Sequence, residues 1–160
     1  MKLSLSAIFH ITLFGITTFA LASSISEPTN SLNQTFSLVA LHPYKQNVPM
    51  NPLTIGQYGY VYADSGVGAG SFTLKNSKLF FNDEHASLGK NGALLFKPSG
   101  SAISGFQAKQ VSPVGYEIRL NNTFPVACPI ADISNVYQIY YDQGNASHNC
   151  MGVVIHANIF

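Results

Sequence analysis

The sequence predicts an all-β fold, a single compact antiparallel β-sandwich or closed barrel of about ten short strands. Short apolar runs with a period of two recur, among them Tyr116-Glu117-Ile118-Arg119-Leu120, Thr123 to Ala127, Tyr137 to Tyr141 and Val153 to Ala157. Asn-Asn, Pro and Gly-Asn separate them, and these residues make turns, so the runs read as strands joined by tight connections. No stretch keeps a helical period for three turns, and Asp83 to Leu88 would form a single helical turn at most.

Taken in order, residues 1–22 read as a secretory signal peptide. Lys2 supplies a positive start, Leu3 to Phe19 is mostly apolar, and Ala20-Leu21-Ala22 has the small-x-small form that a signal peptidase cuts. A membrane anchor would need an apolar run of roughly 20 residues. Here His10 and several Ser and Thr interrupt the run and no basic cluster follows it. Residues 23–35 are polar and aperiodic, with Pro28, and are expected to form a flexible lead-in to a single β-domain over 36–160.

Phe36 to His42 is the first strand expected, and a proline-punctuated loop runs from His42 to Pro52. Tyr58 to Ala63 alternates tyrosines with Gly and Val, as a half-exposed strand does. The Gly-rich segment from Asp64 to Gly70 has neither the lysine nor the following helix of a phosphate loop. Phe72 to Lys75 and Lys78 to Phe81 flank Asn76-Ser77, a two-residue hairpin turn with Asn where a left-handed backbone is needed. Its pattern returns at Asn91-Gly-Ala-Leu-Leu-Phe96. Aromatic-x-aliphatic strand openings also recur at Phe36, Phe72 and Tyr116, spaced by 36 and 44 residues, which keeps a β-trefoil as the alternative fold.

The whole chain has a formal net charge of +1. Without Lys2 the basic and acidic residues balance, which leaves neither the basic footprint of a nucleic-acid binder nor a polybasic patch for a membrane after signal cleavage. Asn33, Asn121 and Asn145 each open an N-x-Ser/Thr sequon, and in a secreted chain these are N-glycosylation sites. Cys128 and Cys150 are the chain's two cysteines. In an oxidising compartment they read as one disulfide between flanking strands 123–127 and 153–157, with a free thiol pair or an intermolecular bond as the alternatives.

Candidate chemistry is sparse. The histidines and two cysteines lack zinc-ligand spacing, so no metal site and no cofactor site are expected. Asp83 and Glu84 read as solvated turn residues, and Glu117 with Arg119 as a surface ion pair. A hydrolase built from His42, His85, His148 or His156 with a glutamate would need two titratable groups to converge in one cleft. The serines sit in no Gly-x-Ser-x-Gly context, so no catalytic residue is assigned. Tyr58, Tyr60 and Tyr62 fall at period two and so share one sheet face. Buried, that ladder is core, the commoner case; exposed, it is a candidate ligand face able to stack on sugar rings.

Phe36-Ser-Leu-Val-Ala40, the strands from Phe72 to Leu79, Asn91-Gly-Ala-Leu, Ala127-Cys128-Pro129 and Cys150-Met-Gly-Val153 together form a pattern that covers most of the mature chain. In this the chain resembles small secreted fungal cell wall proteins of the PhiA type. The resemblance implies secretion, wall association and no enzymatic activity. The reading that follows is a secreted, glycosylated, non-enzymatic domain of the extracellular cell wall, contributing to wall organisation or cell-type development, with wall polysaccharide or wall glycoproteins as partners. The alternative is a soluble carbohydrate-binding module or secreted effector acting through its tyrosine face.

Overall fold

The computed structural model describes residues 26–42, 51–66, 68–141 and 149–160. The signal peptide expected at residues 1–22 and the sequon at Asn145 lie outside them.

Strand β1 (Phe36–Leu41) is a branch point. Along its whole length it pairs with β13 (Val154–Ile159), from Phe36 opposite Ile159 to Leu41 opposite Val154. Two further strands share its other edge: β2 (Asn51–Ile55) takes Val39 and Ala40, and β4 (Phe72–Lys75) takes Phe36. Three arms therefore leave β1. The first runs from β13 to β9 (Gly115–Leu120) and β8 (Phe106–Ser112). The second runs from β2 to β3 (Val61–Asp64), β11 (Val136–Tyr140), β10 (Val126–Pro129) and the two-residue β12 (Met151–Gly152). The third runs from β4 through β5 (Lys78–Phe81) and β6 (Glu84–Leu88) to β7 (Leu94–Lys97).

Among the described residues, all thirteen strands belong to one continuous antiparallel sheet, so the all-β expectation holds. The sheet does not close into a barrel: β7 meets the second arm only through the single bridges Tyr60–Leu95 and Ala93–Tyr140. Nor is it a trefoil, because the arms are unequal and carry no three-fold repeat. Phe36, Phe72 and Tyr116 do stand at or near the start of a strand, and the recurrence is therefore β grammar. The sheet bends so that its arms face one another across one core. Phe36, Leu53, Leu74, Phe106, Ile118, Ile139 and Ile155 are all essentially inaccessible to water within it. Burying each such side chain contributes about 1.5–3 kcal/mol.

Local chemistry sets the turns. Asn76 (φ 49°) with Ser77 (φ 61°), and Asn121 (φ 48°) with Asn122 (φ 64°), are paired left-handed residues. Such pairs make the two-residue turns that match strand twist. Glu84 to Leu88 is a strand and not the single helical turn expected, because hydrogen bonding to both β5 and β7 overrides the weak local preference of Glu-His-Ala-Ser-Leu. Residues 26–35 also depart from the flexible lead-in expected of them. Thr29 bridges Ala108, the Asn30 carbonyl accepts from the Ser77 N–H at 2.8 Å, and Leu32 is buried in the core. This segment covers the open edge of β8, which polar composition alone does not reveal.

Cys128 and Cys150 form the disulfide, with Cα atoms 4.1 Å apart. The register explains it. Val126 lies opposite Gly152 and Ala127 opposite Met151, so the next pair outward is Cys128 and Cys150. The neighbour of β10 is thus β12; Val154–Ile159, expected beside 123–127, instead lies between β1 and β9. The bridge ties residues 22 apart in sequence. Replacing both cysteines by alanine should lower unfolding stability by about 3 kcal/mol on the chain-entropy model. Urea titration of the double variant against the oxidised parent checks this, and coincident midpoints would mean that the β10–β11 ladder alone holds the segment.

Candidate functional site

Strand β7 enters the structure where β3 and β11 part. Those two strands pair at Asp64–Val136, Ala63–Tyr137 and Tyr62–Gln138, and the ladder ends there. Two residues further along each strand, Tyr60 turns to Leu95 and Tyr140 turns to Ala93. Leu94 and Phe96 point into the core, while Ala93, Leu95 and Lys97 line a cleft on the opposite face.

A short 3-10 turn, Gln57–Gly59, laps over β7. It is tied off by the Gly56 N–H to the Tyr60 carbonyl at 2.9 Å and the Gly59 N–H to the Gly56 carbonyl at 3.2 Å. Gly59 has φ +81°, and a Cβ there would lie 2.1 Å from the Phe96 carbonyl oxygen. Only glycine lets the two backbones approach so closely. The residue before it, Tyr58, is itself left-handed (φ 62°, ψ 18°) and 80% exposed. A large side chain in that conformation costs on the order of 1 kcal/mol and persists only where the surroundings impose it.

The cleft has a volume of about 710 Å³. Tyr60, Tyr62, Gln138 and Tyr140 form one wall, Lys90 and Asn91 on the β6–β7 connection with Lys97 form the other, and Tyr58 stands at the rim. Tyr62 and Gln138 are cross-strand neighbours, and the Tyr140 hydroxyl donates to Gln138 Oε1 at 2.9 Å, which fixes both side chains. Burial raises the Tyr62 hydroxyl above the usual tyrosine range, with Tyr60 adding to the effect. Burial does the same for Tyr140, reinforced by Tyr62 and Tyr60. These phenols remain protonated across the physiological range, and both residues are half-buried.

Tyr58, Tyr60 and Tyr62 thus line one cleft, but not as a single strand ladder. Tyr60 and Tyr62 share the outer face by strand alternation, whereas Tyr58 reaches the site through a turn. None of the three is core. The sequence offers Tyr140 as a further aromatic able to stack on a sugar but does not place it here, and Gln138, Lys90 and Lys97 escaped sequence reading. Tyr140 and Gln138 sit two apart in a strand-like run, but their approach to Tyr62 depends on a β3–β11 pairing across more than 70 positions. Lys90 and Lys97 carried no local signal.

Elsewhere, Asn33 is exposed, and Asn121 is exposed in its turn with its side-chain amide against Gly105. Glu117 and Arg119 form the expected ion pair, and the Arg119 guanidinium also lies 4.3 Å over the Phe124 ring. His156 is the cross-strand neighbour of Glu117, yet that carboxylate is engaged by Arg119 and the His156 ring by Asn158 Oδ1 at 3.0 Å. His85 lies on β6, on a different arm, and His148 falls outside the described residues. Among the described residues no three His, Cys, Asp or Glu side chains gather as metal ligands would, and no helix is long and apolar enough to cross a membrane.

The chain is similar to two but2-like proteins of Schizosaccharomyces pombe, each titled uncharacterized. One is 34% identical over 143 residues, covering 86% of this chain and 37% of its own length. The other is 33% identical over 140 residues, covering 84% of this chain and 30% of its own. The chain spans about a third of the length of the curated relatives it matches. No family model matches the chain. No solved structure matches it.

Two substitutions separate site from scaffold. Tyr58→Asn keeps a residue tolerant of the left-handed backbone and should leave stability unchanged or raised by up to about 1 kcal/mol. Thermal unfolding checks this, and a marked loss would show that the exposed ring supports the fold. Gly59→Ala brings both a strained φ and a clash with Phe96, and should cost more than about 1 kcal/mol by the same measurement.

Proposed function

We propose that this chain is a secreted, non-enzymatic domain of the fungal cell wall that holds wall polysaccharide in the tyrosine-lined cleft. The observation that carries the proposal is the convergence of Tyr58, Tyr60, Tyr62 and Tyr140 on one open groove. Flat aromatic faces beside fixed hydroxyl and amide groups suit sugar rings, which present an apolar face and a rim of hydroxyls. Secretion is supported by the leader at residues 1–22, by the sequons and by the Cys128–Cys150 disulfide, which is stable in an oxidising compartment. Wall residence, with a part in wall organisation or cell-type development, is supported by the resemblance to PhiA-type proteins.

Fractionation of the tagged protein into medium, detergent extract and wall residue tests this directly. The expected result is recovery in the detergent-washed wall, with Tyr58→Asn moved several-fold toward the medium because one stacking contact, about 1 kcal/mol, is lost. Recovery of the parent wholly in the medium sinks wall residence and leaves a soluble binding module. Equal retention of parent and variant would remove the cleft from the account.

A further inference from the structure

We propose that the cleft takes an acidic glycan, a run of pyranose rings bearing carboxylate or phosphate groups, with Lys90 and Lys97 meeting the charges while the tyrosines hold the rings. The inference rests on the sugar-binding reading above and adds the class of sugar.

The charge of the cleft is the first argument. Its lining includes two lysines and neither an aspartate nor a glutamate. Neither ammonium has a carboxylate partner among the described residues; the cross-strand neighbour of Lys97 is His85. The whole chain carries a formal net charge of only +1, so the positive cleft is not the by-product of a basic surface. Both lysines are exposed, and their long stems are free to follow a bound chain.

The placement of the two charges is the second argument. Lys90 lies in the connection before β7 and Lys97 at the end of that strand. From Ala93 to Lys97 alone the strand rises about 13 Å. The two lysines are therefore attached toward opposite ends of this segment, which fits charges repeated along a polymer better than a single small anion. The third argument is hydrogen bonding. Phenol hydroxyls, ammoniums and the Asn91 and Gln138 amides make the site rich in donors, and carboxylate and phosphate oxygens are acceptors.

Titration calorimetry of the purified parent with three oligosaccharides of equal length tests the proposal: an oligo-uronate, a phosphorylated mannan fragment and a neutral β-glucan. At low ionic strength at least one acidic oligosaccharide should bind about tenfold or more tightly than the neutral one, and rising salt should narrow the gap. Whichever acidic arm binds identifies carboxylate or phosphate as the group recognised. Lys90→Gln combined with Lys97→Gln should abolish the difference, and Lys→Arg at both positions should keep it. Equal affinity for acidic and neutral chains overturns the acidic inference and leaves the sugar reading standing. A preference that survives the double Gln variant also overturns it. Binding to none of the three overturns both readings.

Discussion

Strand β1 is the constraint on which the rest of the structure depends. Its residues Phe36 to Ala40 are buried on both faces, and both of its edges are hydrogen-bonded. A strand in that position has no freedom of register, because a one-residue slip would exchange Phe36, Leu38 and Ala40 for Ser37, Val39 and Leu41 toward the core. Its edge is divided between β2 and β4, and this division makes one sheet fork into arms. The third arm is secured at the fork by an aromatic cluster. Phe72 packs against Phe81 and Phe96 with ring centroids 5.2 and 5.7 Å apart, and the latter two lie 6.1 Å from one another.

From this junction the cleft follows almost as a by-product. The second and third arms bend toward each other and meet, but through single bridges and not a ladder. A closed barrel would have paired these backbones and filled the seam with side chains. Here the seam stays open on its outer face, and half-buried tyrosines line it. Leu94 and Phe96 are buried beneath it and anchor β7 in the core. The backbone contact of Gly59 on Phe96 clamps the turn that carries Tyr58. The strained residue and the closest backbone approach are thus adjacent in sequence, at the lip of the groove.

The disulfide acts at the other end of the second arm. It lies beside β12, a strand of two residues paired with β10, which offers few hydrogen bonds of its own. A covalent tie there compensates for a short ladder at a sheet edge, where fraying starts. The first arm needs no such tie. Its open edge is covered by residues 26–30 through Thr29 and Ala108, and its hairpin is set by the register of β8 on β9.

What the sequence determined by itself was everything that neighbours along the chain decide. Alternating apolar residues made strands, Asn76-Ser77 and Asn121-Asn122 made their turns, and the two cysteines offered a single intramolecular pairing. The tyrosines at 58, 60 and 62 were visible as a group for the same reason. Only the tertiary structure decided that Glu84 to Leu88 is a strand, that residues 26–30 cover an edge, and that Val154–Ile159 lies between β1 and β9. It alone brought Gln138, Tyr140, Lys90 and Lys97 to the tyrosines. These outcomes depend on pairing between segments far apart in the chain, and the hydrogen bonds and burial that select such pairings exist only once the core has formed.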